Sequence, residues 1–337
     1  MKKKAIFFVA LVLVSVILLG SSTSGVISDT TSSGAAASAT VLFLGVDSAA
    51  ANSDVVVLGR YEGASKQLTL MQLPRDMYVE WEDDTPKLNH IYAACRAGGM
   101  SDQASLAYTA NVLEQSLSIP IDMAVCMDLT VFASLVDAVG GVPIEIPFDM
   151  SYHDPAQGLS IALKKGSTVL DGKTAEQFVR YRSGYVEGDL GRMDAQKLFF
   201  AASLRHVLKN LTAGEALSVF LRHRNRLAFL DEQHKLLSTV GELFACRQSL
   251  SVRFLSIPGE AVKDTHTWYY VIHRDAACRV LNQYFKPLEP LDATSFDKDG
   301  RFYNDRENIS NIYFSASMEY RIYSAEELSD INILKKD

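Results

Sequence analysis

The sequence predicts an α/β domain of two or three layers, because short apolar runs alternate along the chain with segments of helical periodicity. The run at 41–46 has the length of a buried strand, whereas apolar residues between 102 and 118 recur at the spacing of one helix face. The chain has 337 residues, 48% of them hydrophobic, which is enough to bury a sizeable core. Domains of this class place ligand sites at the ends of their strands.

The N-terminus has the pattern of a membrane anchor. Lysines at 2–4 precede an uncharged apolar run at 5–20, and uncharged residues up to 27 can extend it. At about 1.5 Å per residue, the run is slightly shorter than a hydrocarbon core of about 30 Å. Because lysines favour the cytoplasmic side, we predict a single-pass transmembrane helix at 1–20 in the cell membrane and an extracytoplasmic domain after it. A cleaved signal peptide is the alternative, because small residues follow at 35–39.

The remaining elements follow in order along the chain. Residues 21–40 are rich in Ser, Thr, Gly and Ala and are predicted to be a flexible linker. Pro74 stops the third strand, Thr130 can cap a helix, and residues 287–337 are weakly patterned and predicted to be a peripheral extension. We predict strands at 41–46, 55–58, 67–73, 121–127, 142–146, 251–257 and 267–272, and helices at 102–118, 130–138, 191–211 and 274–285.

Charge and motifs exclude several function classes. The net charge of −7 opposes a general nucleic-acid binder, and the four residues before the predicted anchor leave no room for a DNA-binding domain, so we expect no nucleic-acid partner. The motifs HExxH, GxSxG and GxxxxGK[ST] are absent. The four cysteines are too widely spaced for the usual zinc motifs, and their pairing stays open.

Two acids flank a short loop between adjacent predicted strands. Asp47 follows the first strand, and Asp54 introduces the second. Two carboxylates in this arrangement can hold one hard cation, and Mg²⁺ favours one or two carboxylates together with phosphate oxygens. The alternative is that both acids are ordinary turn residues.

Arginines form the complementary half of the predicted site. Arg75 follows the third strand, Arg180 and Arg182 form a pair further on, and Arg192 is expected in the first turn of the long helix. Guanidinium groups bind phosphate through paired hydrogen bonds, and a helix N-terminus adds to the attraction. The alternative is a set of surface salt bridges, for example with Asp189.

The chain contains, in this order, VLFLGVD, SDVVVL, QLPRDMYV, KLNHIYAACRAGG, VDAVGGVPIEIP, LDGKTAEQFVRYRSGYVEGDLGRMDAQ, SIPGE and WYYVIHRDAACRVLNQYF. With these motifs, the chain resembles the LytR-CpsA-Psr family over roughly 41–286. The resemblance implies an α/β/α sandwich with a mixed central sheet, a long apolar pocket for a polyprenyl chain, and arginines with Mg²⁺ at its mouth. By motif, Asp47 and Asp54 match acidic metal and catalytic positions, and Arg75 matches the PRD arginine. A later block matches Arg180, Arg182, Asp189, Arg192 and Gln196, and the resemblance implies that this block and Arg75 bind the substrate, with catalytic roles for Arg75, Arg182 and Arg192.

The resemblance also implies an activity. Family members are phosphotransferases that move an anionic glycopolymer, of the teichoic acid or capsular polysaccharide type, from a polyprenyl pyrophosphate carrier to peptidoglycan. Two departures reduce the positive charge: Asn52 and Ala195 stand where the family usually has arginine, and Lys197 is a possible substitute. A polyprenyl-pyrophosphate hydrolase and a non-catalytic polyprenyl-lipid-binding envelope protein therefore stay open as alternatives.

Overall fold

The structure is a computed structural model that describes residues 38–47, 51–82, 85–155, 158–185, 188–231, 235–263, 267–292 and 322–324. The predicted membrane span at 1–20 lies outside these ranges. Among the helices in them, none combines the length and the apolar character that crossing a membrane requires.

A seven-stranded mixed sheet forms the centre of the domain. Its strand order is β13-β10-β3-β2-β1-β4-β9, with β1 parallel to β4 and β3 parallel to β10. Because β2 is antiparallel to both β1 and β3, the strands β1, β3, β4 and β10 all run in one direction. The bounds are β1 Ser38–Val46, β2 Ser53–Glu62, β3 Gln67–Leu73, β4 Met123–Asp128, β9 Ala228–Asp231, β10 Ser251–Ser256 and β13 Ile322–Ser324.

Alternating side chains of the sheet divide the core into two clusters. In β1, Val41 and Phe43 belong to one cluster, whereas Leu42 and Leu44 belong to the other. Successive side chains of a strand point to opposite faces, so both faces of the sheet are covered by protein. This double burial explains why the strands have nearly continuous apolar runs.

Helices cover both faces and give the α/β/α arrangement that the resemblance implies. The helices are α1 Leu88–Ala97, α2 Asp102–Leu117, α3 Leu129–Ala138, α4 Gly172–Arg180, α5 Asp189–Asn210, α6 Ala213–His223, α7 Leu236–Ala245 and α8 Arg274–Tyr284. The first two and α8 contribute to the cluster of Leu42, and α3 to α7 contribute to the cluster of Phe43. Helix α5 is buried on all sides from Gly191 to Leu204, because the strand at 142–146, which lies outside the sheet, packs against it.

Among the described residues, three antiparallel strand pairs lie outside the central sheet. They are β5 Val142–Ile146 with β8 Gly166–Leu170, β6 Met150–Asp154 with β7 Leu159–Leu163, and β11 Gly259–Lys263 with β12 Trp268–Ile272. The predicted strands at 142–146 and 267–272 therefore exist, but they do not join the main sheet.

Several predicted boundaries differ from the structure. β1 begins at Ser38, three residues inside the predicted linker, because Ser38, Ala39 and Thr40 already pair with β2. The N-cap of α3 is Asp128 rather than Thr130, since the Asp128 carboxylate accepts a hydrogen bond from Val131 N at 2.7 Å. Within the predicted peripheral extension, β13 pairs with β10 at the sheet edge.

Candidate functional site

The predicted site residues meet at one edge of the sheet. Asp47 follows the carboxyl end of β1, Arg75 lies two residues beyond the end of β3, and Asp128 ends β4. Asp54 joins them because it lies at the start of the antiparallel strand β2. This edge is where sheets with parallel strands form ligand sites.

A β-bulge places Asp54 in the site. Gly45 pairs with Val55 and Val46 pairs with Ser53, which leaves Asp54 as the extra residue of β2. In a regular strand Asp54 and Val55 would point to opposite faces, whereas here both line one pocket. The bulge therefore redirects the Asp54 side chain, as bulges beside active sites commonly do.

Arg75 is held by three carboxylates. Its Nη1 lies 2.6 Å from Asp54 Oδ1, and its Nε lies 3.6 Å from Asp76 Oδ2 and 3.8 Å from Asp189 Oδ2. Asp76 also binds Lys87 Nζ at 2.9 Å. Burial lowers the pKa of the Arg75 guanidinium, but the three carboxylates outweigh it and raise the pKa overall.

Arg192 is the most deeply buried of the predicted arginines. It lies in the first turn of α5, its residue is 5% exposed, and its Nη2 lies 2.9 Å from Asp189 Oδ1. Burial lowers the pKa of its guanidinium, and the charges of Arg75 and Arg182 lower it further. The carboxylates of Asp189 and Asp54 raise the pKa, but by less than it is lowered. A guanidinium stays protonated in proteins, so Arg192 supplies a buried positive charge that faces the pocket.

Arg180 and Arg182 are less central than Arg192. Arg180 lines the pocket, but its Nη1 is bound to Glu176 Oε1 at 2.8 Å, one helical turn earlier in α4. The Arg182 side chain is exposed and does not line the pocket. Its charge nevertheless acts on Arg192, which places it at the rim of the site.

Behind the charged mouth, the pocket has an apolar wall and one buried amide. Gln196 accepts a hydrogen bond from Gln72 Nε2 at 2.5 Å and donates one to Val179 O at 3.0 Å, so it links β3, α5 and α4. The space in the pocket is about 40 Å³, room for little more than one water molecule. The apolar wall consists of Val46, Val55, Met127, Leu129, Phe132, Val179 and Phe200.

The residues at the mouth fit a magnesium ion that arrives with phosphate. Asp47 and Asp54 line the same pocket, and carboxylate oxygens in this number suit Mg²⁺ when phosphate oxygens complete its shell. Asp54 Oδ1 is engaged by Arg75. In the described part of the chain, no group of three or more His, Cys, Asp or Glu side chains is arranged to bind a metal without such help.

The predicted substitute for the missing arginine does not reach the site. Lys197 is buried and its Nζ binds Asp194 Oδ1 at 2.8 Å, so its charge is matched locally. Ala195 is fully buried in the apolar core. The reduction in positive charge inferred from the sequence is therefore present in the structure.

Sequence reasoning missed several contributors to the site. Gln72 is the first residue of the motif QLPRDMYV, but the motif does not show that its side chain contacts Gln196. Asp128 lines the pocket beside Asp47, and its role as helix cap conceals it in the sequence. Phe132 and Phe200 are typical core residues by pattern, and only the fold shows that they border the pocket.

A family model decides the classification. The model described as the LytR_cpsA_psr family matches residues 21–286. The chain belongs to the LytR-CpsA-Psr family. The matched range of this LytR-CpsA-Psr protein includes Asp47, Asp54, Arg75 and Arg192.

The chain is also similar to named relatives and to one solved structure. TagV of Bacillus subtilis (strain 168), named a polyisoprenyl-teichoic acid–peptidoglycan teichoic acid transferase, is 31% identical over 47% of this chain and 41% of TagV. The alignment thus spans less than half of TagV. TagU of Halalkalibacterium halodurans, with the same activity name, is 27% identical over 74% of this chain and 79% of TagU. The structure of TagT bound to LIIa-WTA matches with a TM-score of 0.55 at 26% identity, covering 73% of this chain and 89% of TagT.

Proposed function

We propose that this LytR-CpsA-Psr protein is a phosphotransferase that moves an anionic glycopolymer from a polyprenyl pyrophosphate carrier onto peptidoglycan. The observation that carries the proposal is the two-part pocket, with Arg192 and three carboxylates at its mouth and an apolar wall inside. A lipid-linked diphosphate has the same division into charged head and apolar chain. The names of TagV and TagU support a polymer of the teichoic acid type.

The proposal includes a location. The apolar run at 5–20 would anchor the protein in the cell membrane, with the folded domain outside the cytoplasm. A polyprenyl carrier is embedded in the same membrane, so anchoring would keep enzyme and donor within reach of each other.

Binding of the donor would rest mainly on two arginines. Arg192 and Arg75 lie against the same carboxylate, Asp189, so their guanidinium groups converge on one region. Forked donors of this kind bind phosphate oxygens bidentately. Arg180 at the pocket wall and Arg182 at the rim would hold the outer part of the head group, and Gln196 would fix the helix that carries Arg192.

The chemistry would be a displacement at phosphorus. The acceptor hydroxyl of peptidoglycan attacks the glycopolymer-proximal phosphorus, the bond to the bridging oxygen breaks, and polyprenyl phosphate leaves. Asp47 or Asp54 accepts the proton of the hydroxyl, and the arginines hold the phosphate oxygens in place. Mg²⁺, held by the same two aspartates, would supply charge that neutralises the phosphate oxygens.

A pair of arginine variants tests the assignment. Arg192→Ala should lower the transfer rate by on the order of 10²-fold, the usual effect of losing one donor that stabilises developing charge. Arg205→Ala is the matched control, because Arg205 lies on the same helix against the β5–β8 pair. The measurement is incorporation of labelled glycopolymer into peptidoglycan by the full chain in detergent. Equal rates for Arg192→Ala and Arg205→Ala would contradict the site.

Two specific observations keep other functions in view. The site residues would equally serve a hydrolase, and the product formed without a peptidoglycan acceptor separates the two: a hydrolase releases free polymer. Ala195 in the core and Lys197 paired with Asp194 favour a lipid binder without turnover. Such a binder would retain polyprenyl lipid through purification and give no product with Mg²⁺ and acceptor.

A further inference from the structure

Asp189 lies between the two main arginines of the site. Its Oδ1 and Oδ2 lie 2.9 Å and 3.1 Å from the single nitrogen Nη2 of Arg192, and Oδ2 lies 3.8 Å from Nε of Arg75. A negatively charged group thus lies against both guanidinium groups that the proposed donor needs.

The contact with Asp189 leaves donors of both arginines unused. Nε of Arg192 and Nε of Arg75 are buried and have no hydrogen-bond partner among the described residues. The Arg192 side chain is only 7% exposed and lines the pocket, so water compensates little. A bidentate pair engages two nitrogens of one guanidinium, for example Nε with Nη2, whereas Asp189 engages only one nitrogen of Arg192. Buried unsatisfied donors at this position point to an oxyanion that binds better than Asp189 does.

We propose that Asp189 is an internal stand-in for the donor's phosphate, which occupies the two arginines in the free protein and is displaced when the diphosphate binds. This inference rests on the proposed function. It changes the role that the sequence motif implies for Asp189, from a group that binds substrate to a group that competes with it.

Charge and location both support displacement. A carboxylate beside a bound phosphate would repel it, whereas without any anion the two arginines would repel each other. Asp189 is the first residue of α5 and its side chain is 30% exposed, so it has solvent to turn into. Gly188 before it has φ of 55°, in the left-handed region that glycine adopts without strain.

The test compares anion binding by matched carboxylate variants. The full chain in detergent is titrated with inorganic pyrophosphate and Mg²⁺ by isothermal calorimetry. Asp189→Asn keeps the side-chain shape and removes the competing charge, so the affinity should rise by on the order of tenfold. Glu176→Gln is the control, because Glu176 is also 30% exposed and pairs with the pocket arginine Arg180. Its affinity should stay within about threefold of wild type.

Each outcome has a defined meaning. Wild-type binding that Asp189→Asn weakens or leaves unchanged overturns the stand-in role but keeps the diphosphate site. Absence of binding in wild type and in Asp189→Asn overturns both. If Asp189→Asn does not fold, a structure of the wild type with pyrophosphate decides: Asp189 oxygens beyond about 4 Å from Arg192 Nη2 support displacement, and a retained ion pair overturns it.

Discussion

Replacing Phe200 by alanine tests whether the apolar wall of the pocket opens for a prenyl chain. Phe200 is 1% exposed and borders a pocket whose space is about 40 Å³. Sites for small organic ligands usually enclose about 300 Å³ or more. A prenyl chain can therefore enter only if wall residues move, and this movement reduces the apparent affinity of the wild type.

The size of the effect follows from burial. Truncating a fully buried phenylalanine costs about 3–5 kcal/mol of unfolding free energy and leaves a cavity on the order of 100 Å³. Because the cavity adjoins the existing pocket, the cost of opening is removed and a prenyl phosphate should bind more tightly. Ligand at about 100 times its dissociation constant would return about 2.7 kcal/mol of stability.

The assay is urea unfolding with and without farnesyl phosphate. Phe220→Ala is the control, because Phe220 is equally buried in the same cluster but does not line the pocket. Both variants should lose a similar unfolding free energy without ligand. On addition of farnesyl phosphate, only Phe200→Ala should gain more unfolding free energy than wild type gains. Equal recovery in the two variants would refute the idea that the chain enters beside Phe200.

Two further predictions concern the supports of the site. Gln196→Leu should lower the unfolding free energy measured in urea by about 1–3 kcal/mol, because it leaves the buried amide of Gln72 without its acceptor. Gln196→Glu keeps an acceptor oxygen, so an equal loss in both variants would contradict this reason. Hydrogen bonds from the Thr174 side chain and backbone lower the pKa of Asp171, the N-cap of α4, below its ordinary 3.8. A carboxyl group whose pKa is lowered by folding stabilises the folded state at pH values above 3.8. Asp171→Ala should therefore lower the unfolding free energy by about 1 kcal/mol at pH 7, and by less as the pH falls below 3.8. A loss that does not change with pH would contradict this.

The sequence predicts most strands of the central sheet because each of them is marked by its own run of apolar residues. The apolar runs are continuous, and continuity requires burial on both faces, which only a layered α/β arrangement supplies. The sequence does not predict where the strand at 142–146 lies in the fold. This strand pairs with 166–170, and the residue pattern of a strand does not identify its partner. β13 shows the same limit, because its pairing with β10 joins residues about seventy positions apart.

The site is predictable in its charges but not in its connections. Arg192 in the first turn of α5 and Asp54 at the start of β2 follow from motif and helix register. The bulge that turns Asp54 into the pocket depends on the pairing of β1 with β2, and the Gln72–Gln196 bond joins two elements remote in sequence. Such contacts are set by tertiary packing, so composition and spacing do not reveal them.

The arginines at the mouth of the pocket are balanced by carboxylates. The protein is acidic overall, with a net charge of −7, and the arginines of the site are themselves paired with carboxylates. An anion therefore meets arginines that are already paired, and it gains Nη2 of Arg192 only by displacing Asp189. Asp189 is the carboxylate best placed for displacement, because it is partly solvated and uses one nitrogen of Arg192. Selectivity for a diphosphate over Asp189 would then come from the buried Nε donors, which Asp189 leaves unused.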